Sequence, residues 1–155
     1  MRAVIQRVRA ASVRVEGRCV GSVDRGLLVY IGVEKGDDEA DVAYVGSKCA
    51  GARVFPDAHG RMNLPLSDLS GPTDERRGIL AVSQFTLHGD MRKGRRPSLA
   101  AAAEPRAAEG LYEALVRWWR NNGLLVETGV FGAHMDVAAI NDGPVTLLVD
   151  SRRLF

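Results

Sequence analysis

A polar segment closes an apolar run in the middle of the chain. The apolar stretch from Ile79 to Leu87 ends in Ser83-Gln84-Phe85-Thr86-Leu87. The serine and threonine hydroxyls and the glutamine amide can donate and accept hydrogen bonds without a formal charge. Rigid strands commonly present such groups to a ligand at their ends. The segment predicts a polar binding or catalytic site, or else a strand cap of which one side alone faces a site.

A second unusual segment is Gly143-Pro144, which lies in Asn141-Asp142-Gly143-Pro144-Val145-Thr146. The flanking runs, 135 to 140 and 145 to 149, are mostly apolar and predict extended chain. Proline has no amide to donate to a sheet, and glycine lets the backbone approach another group closely. Local sequence favours a hairpin turn here, and the alternative is a turn that presents its own carbonyls and amides to a ligand.

A cluster of cations occupies residues 92 to 96, Arg-Lys-Gly-Arg-Arg. Guanidinium groups pair well with phosphate oxygens, so this loop predicts a phosphate contact or, equally, a solvated surface loop. Phe131 stands between Gly129 and Gly132, where its ring could stack on a nucleobase or belong to the core.

Other catalytic patterns are missing from the sequence. His59, His88 and His134 are far apart and form no metal-binding pair, so no metal or other cofactor is expected. No phosphate loop, dinucleotide-binding glycine motif or Gly-x-Ser-x-Gly elbow is present. A serine esterase that uses Ser83 and His88 remains a weak alternative, because no acid is placed beside that pair.

Length and composition indicate one domain, residues 1 to 155, of an ordinary soluble protein. The first residues contain no apolar run of signal-peptide type, and nothing approaches a transmembrane span, so we expect a cytoplasmic location without membrane attachment. Cys19 and Cys49 are expected to be buried or semi-buried thiols in a reducing compartment. The net charge of +2 neither requires nor excludes nucleic acid.

The elements that must position these residues are mostly strands. The N-terminal third predicts a β-meander, with an alternating strand near residues 12 to 17 and a continuous apolar strand at 26 to 33. One helix should run from Asp37 or Asp38 to about Ala52. A second should open at Glu104-Pro105 and close at Gly123. Its predicted apolar stripe consists of Leu111, Leu115 and Trp118.

Further strands are predicted around residues 124 to 128 and 145 to 150, and residues 71 to 78 predict a polar loop. Helices that interrupt the strands favour an α+β fold, with a largely antiparallel, barrel-like sheet and two main helices on one side.

With these segments in order, the chain resembles the D-aminoacyl-tRNA deacylases, also called D-tyrosyl-tRNA deacylases. The resemblance covers nearly the whole chain, and the number and order of its motifs make it specific. The motifs are Ile5-Gln6-Arg7-Val8, Gly32-Val33-Glu34-Lys35, Gly60-Arg61-Met62-Asn63, Ser83-Gln84-Phe85-Thr86-Leu87, Lys93-Gly94-Arg95-Arg96-Pro97-Ser98, Thr128-Gly129-Val130-Phe131-Gly132 and Asn141-Asp142-Gly143-Pro144-Val145-Thr146.

The resemblance implies a homodimer with active sites at the subunit interface and aminoacyl-tRNA as substrate. It implies that the Gly143-Pro144 bond is cis and enters the neighbouring subunit's pocket, where backbone oxygens exclude L-amino acids. The residues assigned on this basis are Ser83, Gln84, Phe85 and Thr86 for catalysis, Gly143 and Pro144 for selectivity, Arg7, Met135 and Asn141 in support, and Lys93, Arg95, Arg96 and Phe131 for tRNA.

No side chain among these is an obvious nucleophile or base. An aminoacyl ester is already activated, so we hypothesise that amides near Phe85 and Thr86 hold the carbonyl oxygen while Ser83 and Gln84 orient the substrate. The resemblance implies that the terminal ribose 2′-hydroxyl assists and that no acyl-enzyme forms. A nucleic-acid-binding module without catalysis is the competing interpretation, and it predicts salt-sensitive binding alone.

Overall fold

A computed structural model describes residues 1 to 72 and 75 to 154. Its elements, in chain order, are β1 (Arg2–Val15), β2 (Arg18–Val23), β3 (Gly26–Gly32), α1 (Glu39–Ala50), β4 (Phe55–Pro56), β5 (Met62–Leu64), a 3₁₀ turn (Leu66–Asp68), β6 (Gly78–Ser83), a second 3₁₀ turn (Phe85–His88), α2 (Pro105–Asn121), β7 (Val126–Thr128) and β8 (Asp136–Asp150). The predicted loop at 71 to 78 contains Thr73 and Asp74, which lie outside the described residues.

The long strand β1 organises the sheet. One of its edges pairs with β8 in antiparallel fashion, and the other pairs with β3 over residues 2 to 8 and with β2 over residues 11 to 15. Strand β6 then adds parallel to β3, and β7 adds parallel to β6. Because β2 curls round beside β7, the six-stranded sheet nearly closes. The predicted α+β class with a barrel-like sheet and two helices is confirmed.

The predicted β-meander is wrong. In a meander β2 would pair with both of its sequence neighbours, whereas here β2 and β3 both pair with the same edge of β1. The physical reason is length and burial: β1 has 14 residues, enough to pair both strands end to end along one edge. Strand β3 is apolar on both faces, so it is buried between β1 and β6.

The two faces of the sheet carry separate cores. Leu27, Val29 and Ile31 face both helices and join the larger core, which includes Trp119 and Leu115 of α2. Alternate residues face the inside of the barrel and form a smaller core: Val8, Ala11, Val13, Val23, Leu28, Leu80 and Val82. Side chains of a strand alternate between faces, so a strand buried on both sides reads as one continuous apolar run.

Helix α1 begins as its sequence predicts. The Asp38 carboxylate accepts a hydrogen bond from the Ala40 amide at 2.8 Å, and the Asp41 carboxylate accepts from the Asp38 amide at 2.8 Å. Two backbone donors of the first turn are thereby satisfied.

Helix α2 has the predicted bounds but a different buried face. Leu115 of the predicted stripe is fully buried, whereas Leu111 and Trp118 are only half-buried. The buried face centres instead on Tyr112 and Trp119, because their polar atoms find partners: Tyr112 Oη donates to the Ala81 carbonyl and Trp119 Nε1 to the Gly46 carbonyl, both at 3.0 Å.

The two cysteines differ. Cys49 is buried in the larger core, and this burial raises the pKa of its thiol to about 12, which keeps it protonated and unreactive. Cys19 is exposed, so the prediction of a buried or semi-buried thiol is wrong for this residue. It lies in the first half of β2, where the strand faces solvent.

Candidate active site

A cleft of about 400 Å³ opens where β3 and β6 end. Its floor is the carboxyl end of those two strands, one wall is the start of α2, and the other wall is the segment from Phe131 to Val137. The lining residues are mostly apolar: Ile31, Val33, Val82, Ser83, Gln84, Phe85, Ala102, Ala103, Pro105, Ala108, Tyr112, Phe131, Gly132, Ala133, His134, Met135 and Val137. Such a cleft suits a small organic group held by a few polar contacts.

The polar segment lies at the mouth of this cleft. Ser83 is the last residue of β6, so the predicted strand to Leu87 ends four residues early, and a 3₁₀ turn begins at Phe85. The Gln84 amide donates to the Ile31 carbonyl at 2.7 Å, which ties the turn to β3. Gln84 Nε2 also donates to Thr86 Oγ1. Ser83, Gln84 and Phe85 line the cleft, and Thr86 lies just outside it.

Two backbone amides at this turn lack partners. Phe85 and Thr86 are its first two residues, and the opening amides of a helical turn have no acceptor inside it. Within the described residues, neither amide donates a hydrogen bond to another atom. The amides can therefore serve an incoming oxygen atom, as the sequence hypothesis requires.

Two aromatic rings, one from each wall, line the cleft. The rings of Tyr112 and Phe131 are 6.0 Å apart between centroids and tilted by 47°. Burial raises the pKa of Tyr112, so its hydroxyl stays protonated and keeps donating to the Ala81 carbonyl at neutral pH. Met135, an assigned supporting residue, packs against Gly129 and lines the cleft.

Gly143 and Pro144 lie in an irregularity of β8, not in a hairpin. Gln6 pairs with Thr146 and Val8 pairs with Asn141, so the four residues from Asp142 to Val145 bulge opposite Arg7 alone. The Gly143-Pro144 peptide bond is cis, as the resemblance implies. The hairpin interpretation is wrong, because β8 continues on both sides of the bulge and pairs with the same strand, β1.

Arg7 and Asn141 hold this bulge. Arg7 Nε donates to the Asp142 carbonyl at 3.2 Å, and a second guanidinium nitrogen donates to the Val54 carbonyl. Asn141 Oδ1 accepts from the Val145 amide at 3.0 Å, and its Nδ2 donates to Thr146 Oγ1 at 3.1 Å. Arg7 and Asn141, two of the three assigned supporting residues, thus contact both ends of the bulge.

The bulge and the cleft do not meet within the chain. Gly143 and Pro144 are exposed and do not line the cleft. The structure therefore brings Ser83, Gln84, Phe85, Phe131 and Met135 together, and it leaves the Gly143-Pro144 segment outside that group.

The basic residues form a separate exposed loop. Lys93, Arg95 and Arg96 lie between Asp90 and Ser98, which pair as a short bridge. Arg92 is neutralised by Asp90, whose pKa the hydrogen bonds and charge of Arg92 lower to about 2. Lys93, Arg95 and Arg96 have no ionic partner within the described residues.

The histidines occupy unrelated positions. His88 is buried, its ring packs against Gly32 with Nδ1 3.9 Å from Glu34, and it does not line the cleft. The structure therefore does not place it in a shared site with Ser83.

Among residues 1–72 and 75–154 no group of three or more metal-binding side chains occurs. Within the same residues, no helix combines the length and the apolar character needed to cross a membrane.

Sequence reasoning missed part of the cleft. Tyr112 and Ala108 come from the start of α2, and His134 comes from the loop before β8. The spacing of four between Ala108 and Tyr112, a small residue below an aromatic one on a single helix face, was an available signal. His134 has no comparable signal.

The fold is shared with solved structures. The structure of a c-Myc DNA unwinding element binding protein superposes with a TM-score of 0.86 at 34% identity, covering 97% of this chain and 98% of the other. A probable eukaryotic D-amino acid tRNA deacylase gives a TM-score of 0.72 at 16% identity, with 96% of this chain and 97% of the other covered. The second likeness shows the fold alone.

Sequence comparison defines the class as hydrolases of D-aminoacyl-tRNA. The D-aminoacyl-tRNA deacylases of Thermosipho africanus (strain TCF52B) and Halothermothrix orenii (strain H 168 / OCM 544 / DSM 9562) are each 53% identical over 155 residues, with both chains fully covered. That of Myxococcus xanthus (strain DK1622) is 55% identical over 151 residues, 97% of this chain and 95% of its own.

The family model described as D-Tyr-tRNA(Tyr) deacylase matches residues 4–150. The chain belongs to this family, and it is an enzyme of the D-aminoacyl-tRNA deacylase type. The predicted resemblance is confirmed.

Proposed function

We propose that the chain hydrolyses the ester bond of D-aminoacyl-tRNA, and of glycyl-tRNA, releasing the free amino acid and tRNA while rejecting L-aminoacyl-tRNA. This activity would serve chiral proofreading of translation in the cytoplasm. The observation that carries the proposal is the apolar cleft that ends in Ser83 and the unpaired amides of Phe85 and Thr86. The cleft would hold the aminoacyl group, and the amides would donate hydrogen bonds to its carbonyl oxygen.

The active unit is proposed to be a homodimer with its sites at the subunit interface. Strand β8 pairs only with β1 within the described residues, so its other edge is open. The strand also carries three large apolar residues that are exposed, Ile140, Leu147 and Leu148, with relative accessibilities of 59%, 43% and 56%. An open edge with exposed apolar residues favours association with another chain. If a second copy docked at this edge, the bulge of each subunit would lie near the cleft of the other subunit.

Selectivity would then come from backbone atoms of the neighbour. The carbonyl oxygens of Gly143 and Pro144 would occupy the space that the side chain of an L-amino acid needs, and a D side chain would point elsewhere. Glycine has no side chain and would pass the same test. The exposed position of these two residues, outside the cleft of their own chain, supports delivery across an interface.

Catalysis would depend on positioning and on oxyanion stabilisation. The amides of Phe85 and Thr86 would hold the carbonyl oxygen as negative charge develops, and Ser83 and Gln84 would orient the ester. The terminal ribose 2′-hydroxyl would assist the attacking water, so no covalent acyl-enzyme is expected. Among the described residues that line the cleft, His134 is the only histidine, and it is exposed. This fits a scheme in which Ser83 has no histidine as a base.

Contacts to the tRNA are assigned to two places. Phe131 would stack on the terminal adenosine, because its ring lines the cleft. Lys93, Arg95 and Arg96 would contact phosphates, because they are exposed cations that form no ion pair with any residue the structure describes.

One assay tests the function directly. The protein is incubated with D-tyrosyl-tRNA, L-tyrosyl-tRNA and glycyl-tRNA, with and without a serine-reactive inhibitor, and released amino acid is measured. We expect release from the D and glycyl substrates, little from the L substrate, and no effect of the inhibitor. Equal release from both stereoisomers would contradict the exclusion of L-amino acids by Gly143 and Pro144. Inhibition with a trapped acyl group would contradict direct attack by water.

A second candidate function is DNA binding. The solved relative with 34% identity is named for binding a DNA unwinding element, and the free cations of the 93 to 96 loop could contact DNA as well as RNA phosphates. Titration of duplex DNA at several salt concentrations tests this candidate. Binding that persists at physiological salt would support it, and loss of binding there would leave tRNA as the partner.

A further inference from the structure

The carboxylate of Asp142 lies between two arginines of β1. Its Oδ2 is 3.1 Å from Arg7 Nε, and its Oδ1 accepts a hydrogen bond from Arg9 Nε at 3.0 Å. Arg7 is nearly buried, with 12% of its side chain accessible, whereas 74% of the Arg9 side chain is accessible. Asp142 thus joins an inner and an outer cation of the same strand.

Asp142 is also the first residue of the bulge. Its own backbone carbonyl accepts from Arg7 Nε at 3.2 Å, so side chain and main chain of Asp142 are fixed by the same guanidinium. Arg7 additionally touches Gly143: a Cβ built on that glycine would lie 2.8 Å from Arg7 Nη2. The direction of the following residues therefore depends on where Asp142 holds the Arg7 guanidinium.

The far end of the bulge is held differently. Asn141 bonds to the Val145 amide and to Thr146, and neither contact involves a charge. Between these two ends, the sheet ladder leaves Gly143 and Pro144 unpaired. One end of the bulge is therefore held by the ion pairs of Asp142, and the other end by the uncharged hydrogen bonds of Asn141.

We propose that Asp142 and Arg9 are positioning residues for stereoselectivity, acting through Arg7 on the Gly143-Pro144 segment. The inference rests on the proposed function, in which that segment excludes L-amino acids. Arg9 holds one carboxylate oxygen, so that the other stays on Arg7. Loss of this arrangement lets the bulge move, and a displaced bulge admits the L substrate while it positions the D substrate less well.

A merely structural ion pair would behave differently. Partly exposed pairs contribute little to folding, so removal would shift stability slightly and leave the ratio of L to D hydrolysis unchanged. A positioning role changes that ratio, and it does so mainly through kcat for the L substrate, because the cleft that binds the aminoacyl group is intact. The conservative variant Asp142→Glu keeps the charge and should restore part of the selectivity.

The experiment compares Asp142→Asn, Asp142→Glu and Arg9→Ala with the unmodified protein on D-tyrosyl-tRNA and L-tyrosyl-tRNA. We expect Asp142→Asn to raise the L to D ratio of kcat/KM about tenfold and Arg9→Ala about threefold, as charge-assisted contacts of this kind suggest. Glu113→Gln is the matched control, because it removes an exposed ion pair to Arg117 on α2, with N and O 3.4 Å apart. Its ratio should not change.

The outcomes separate the inference from the function beneath it. If the unmodified protein fails to discriminate the stereoisomers, the proposed function fails. If it discriminates and Asp142→Asn, folded as judged by its melting temperature, keeps the same ratio, the positioning role is wrong and the function stands. A ratio that rises in Asp142→Asn and falls back in Asp142→Glu supports the inference.

Discussion

The cleft and the bulge are positioned by opposite means. The cleft is formed on buried strands and on a helix whose aromatic residues reach the core, and its shape follows from apolar packing. The bulge interrupts a strand pairing, stands in solvent and is fixed by Arg7, Asp142 and Asn141 through hydrogen bonds and charge. Packing tolerates no large displacement, whereas a few polar contacts can be shifted by a single substitution.

This contrast predicts that function can be altered without loss of stability in the bulge but not in the buried part of the cleft. Changes to the buried apolar residues of the cleft should alter stability and catalysis together, because those residues also belong to the core. Changes in the bulge should alter function with little cost in stability, because few core atoms depend on it.

The largest effect is expected at Gly143. Its φ of +122° is disfavoured for other residues, and an added Cβ would meet Arg7 Nη2 at 2.8 Å and Val145 Cγ2 at 2.9 Å. Gly143→Ala should displace the bulge and lower kcat/KM for D-tyrosyl-tRNA about 100-fold, the scale of a small misplacement at a reacting centre. The measurement is deacylation of D-tyrosyl-tRNA.

Gly17→Ala is the matched control for that substitution. Gly17 also has a positive φ, +77°, but nothing lies within 4 Å of an added Cβ. It should cost about 1 kcal/mol of unfolding free energy and leave deacylation unchanged. An equal loss of activity in both variants would show that backbone strain alone, rather than the bulge, is responsible.

Neutralising the basic loop should remove the dependence of kcat/KM on salt concentration. With Lys93, Arg95 and Arg96 replaced by glutamine, kcat/KM should become nearly flat with salt, whereas the unmodified protein should lose about 20-fold between about 50 mM and about 200 mM salt through three phosphate contacts. Replacing Arg14 and Arg18 of the β1–β2 hairpin is the control. A variant of the basic loop that keeps the full salt slope would place the tRNA elsewhere.

Ser83 tests the chemistry of the cleft. Ser83→Ala should reduce D-tyrosyl-tRNA deacylation about tenfold, the value of one hydrogen bond, and Thr86→Ala should behave in the same way. Single-turnover kinetics with acid quench provide the measurement. A loss beyond about 10⁴-fold at Ser83, with acyl-enzyme trapped in a slow variant, would establish a covalent nucleophile instead.

Two hydrogen-bond deletions test the separation of stability from function. Tyr112→Phe removes a buried bond and should lower the unfolding free energy by about 1 kcal/mol, because the Gly129 amide still donates to the same Ala81 carbonyl. Asn141→Ala removes one exposed and one partly buried bond and should cost about 0.5 kcal/mol but lower kcat/KM about fivefold. Urea denaturation and the deacylation assay give both quantities. If Asn141→Ala lost more unfolding free energy than Tyr112→Phe, the proposed contrast between cleft and bulge would be wrong.

Local patterns predicted the parts of the fold that short-range physics decides. The Asp38 cap, the proline that opens α2 and the continuous apolar run of β3 act through neighbouring residues, and the structure confirms these elements. The pairing of β2 was not predictable in this way, because it depends on the length of β1 and on the burial of β3 against β6. The buried face of α2 depended on partners that Tyr112 and Trp119 find in distant strands and helices.

The candidate site was predictable only in part. Ser83 to Phe85 stood out because polar residues end an apolar strand. Local sequence favoured a hairpin at Gly143-Pro144, because a glycine and a proline between apolar runs usually make a turn. Only the partner strand decides between a turn and a bulge, and Arg7 of that strand lies 135 residues away in sequence from Asp142.

The pairing of β1 with β8 has a consequence for synthesis of the chain. Ile5 pairs with Leu147, so one whole edge of the strand made first must wait until nearly all of the remaining sequence has left the ribosome. During that interval one edge of a strand of 14 residues, much of it apolar, is unpaired, and another nascent chain can pair with that edge. Contacts of such long sequence separation also slow folding. Yield of the protein in cells should therefore depend on translation rate and on chaperones more strongly than its equilibrium stability suggests.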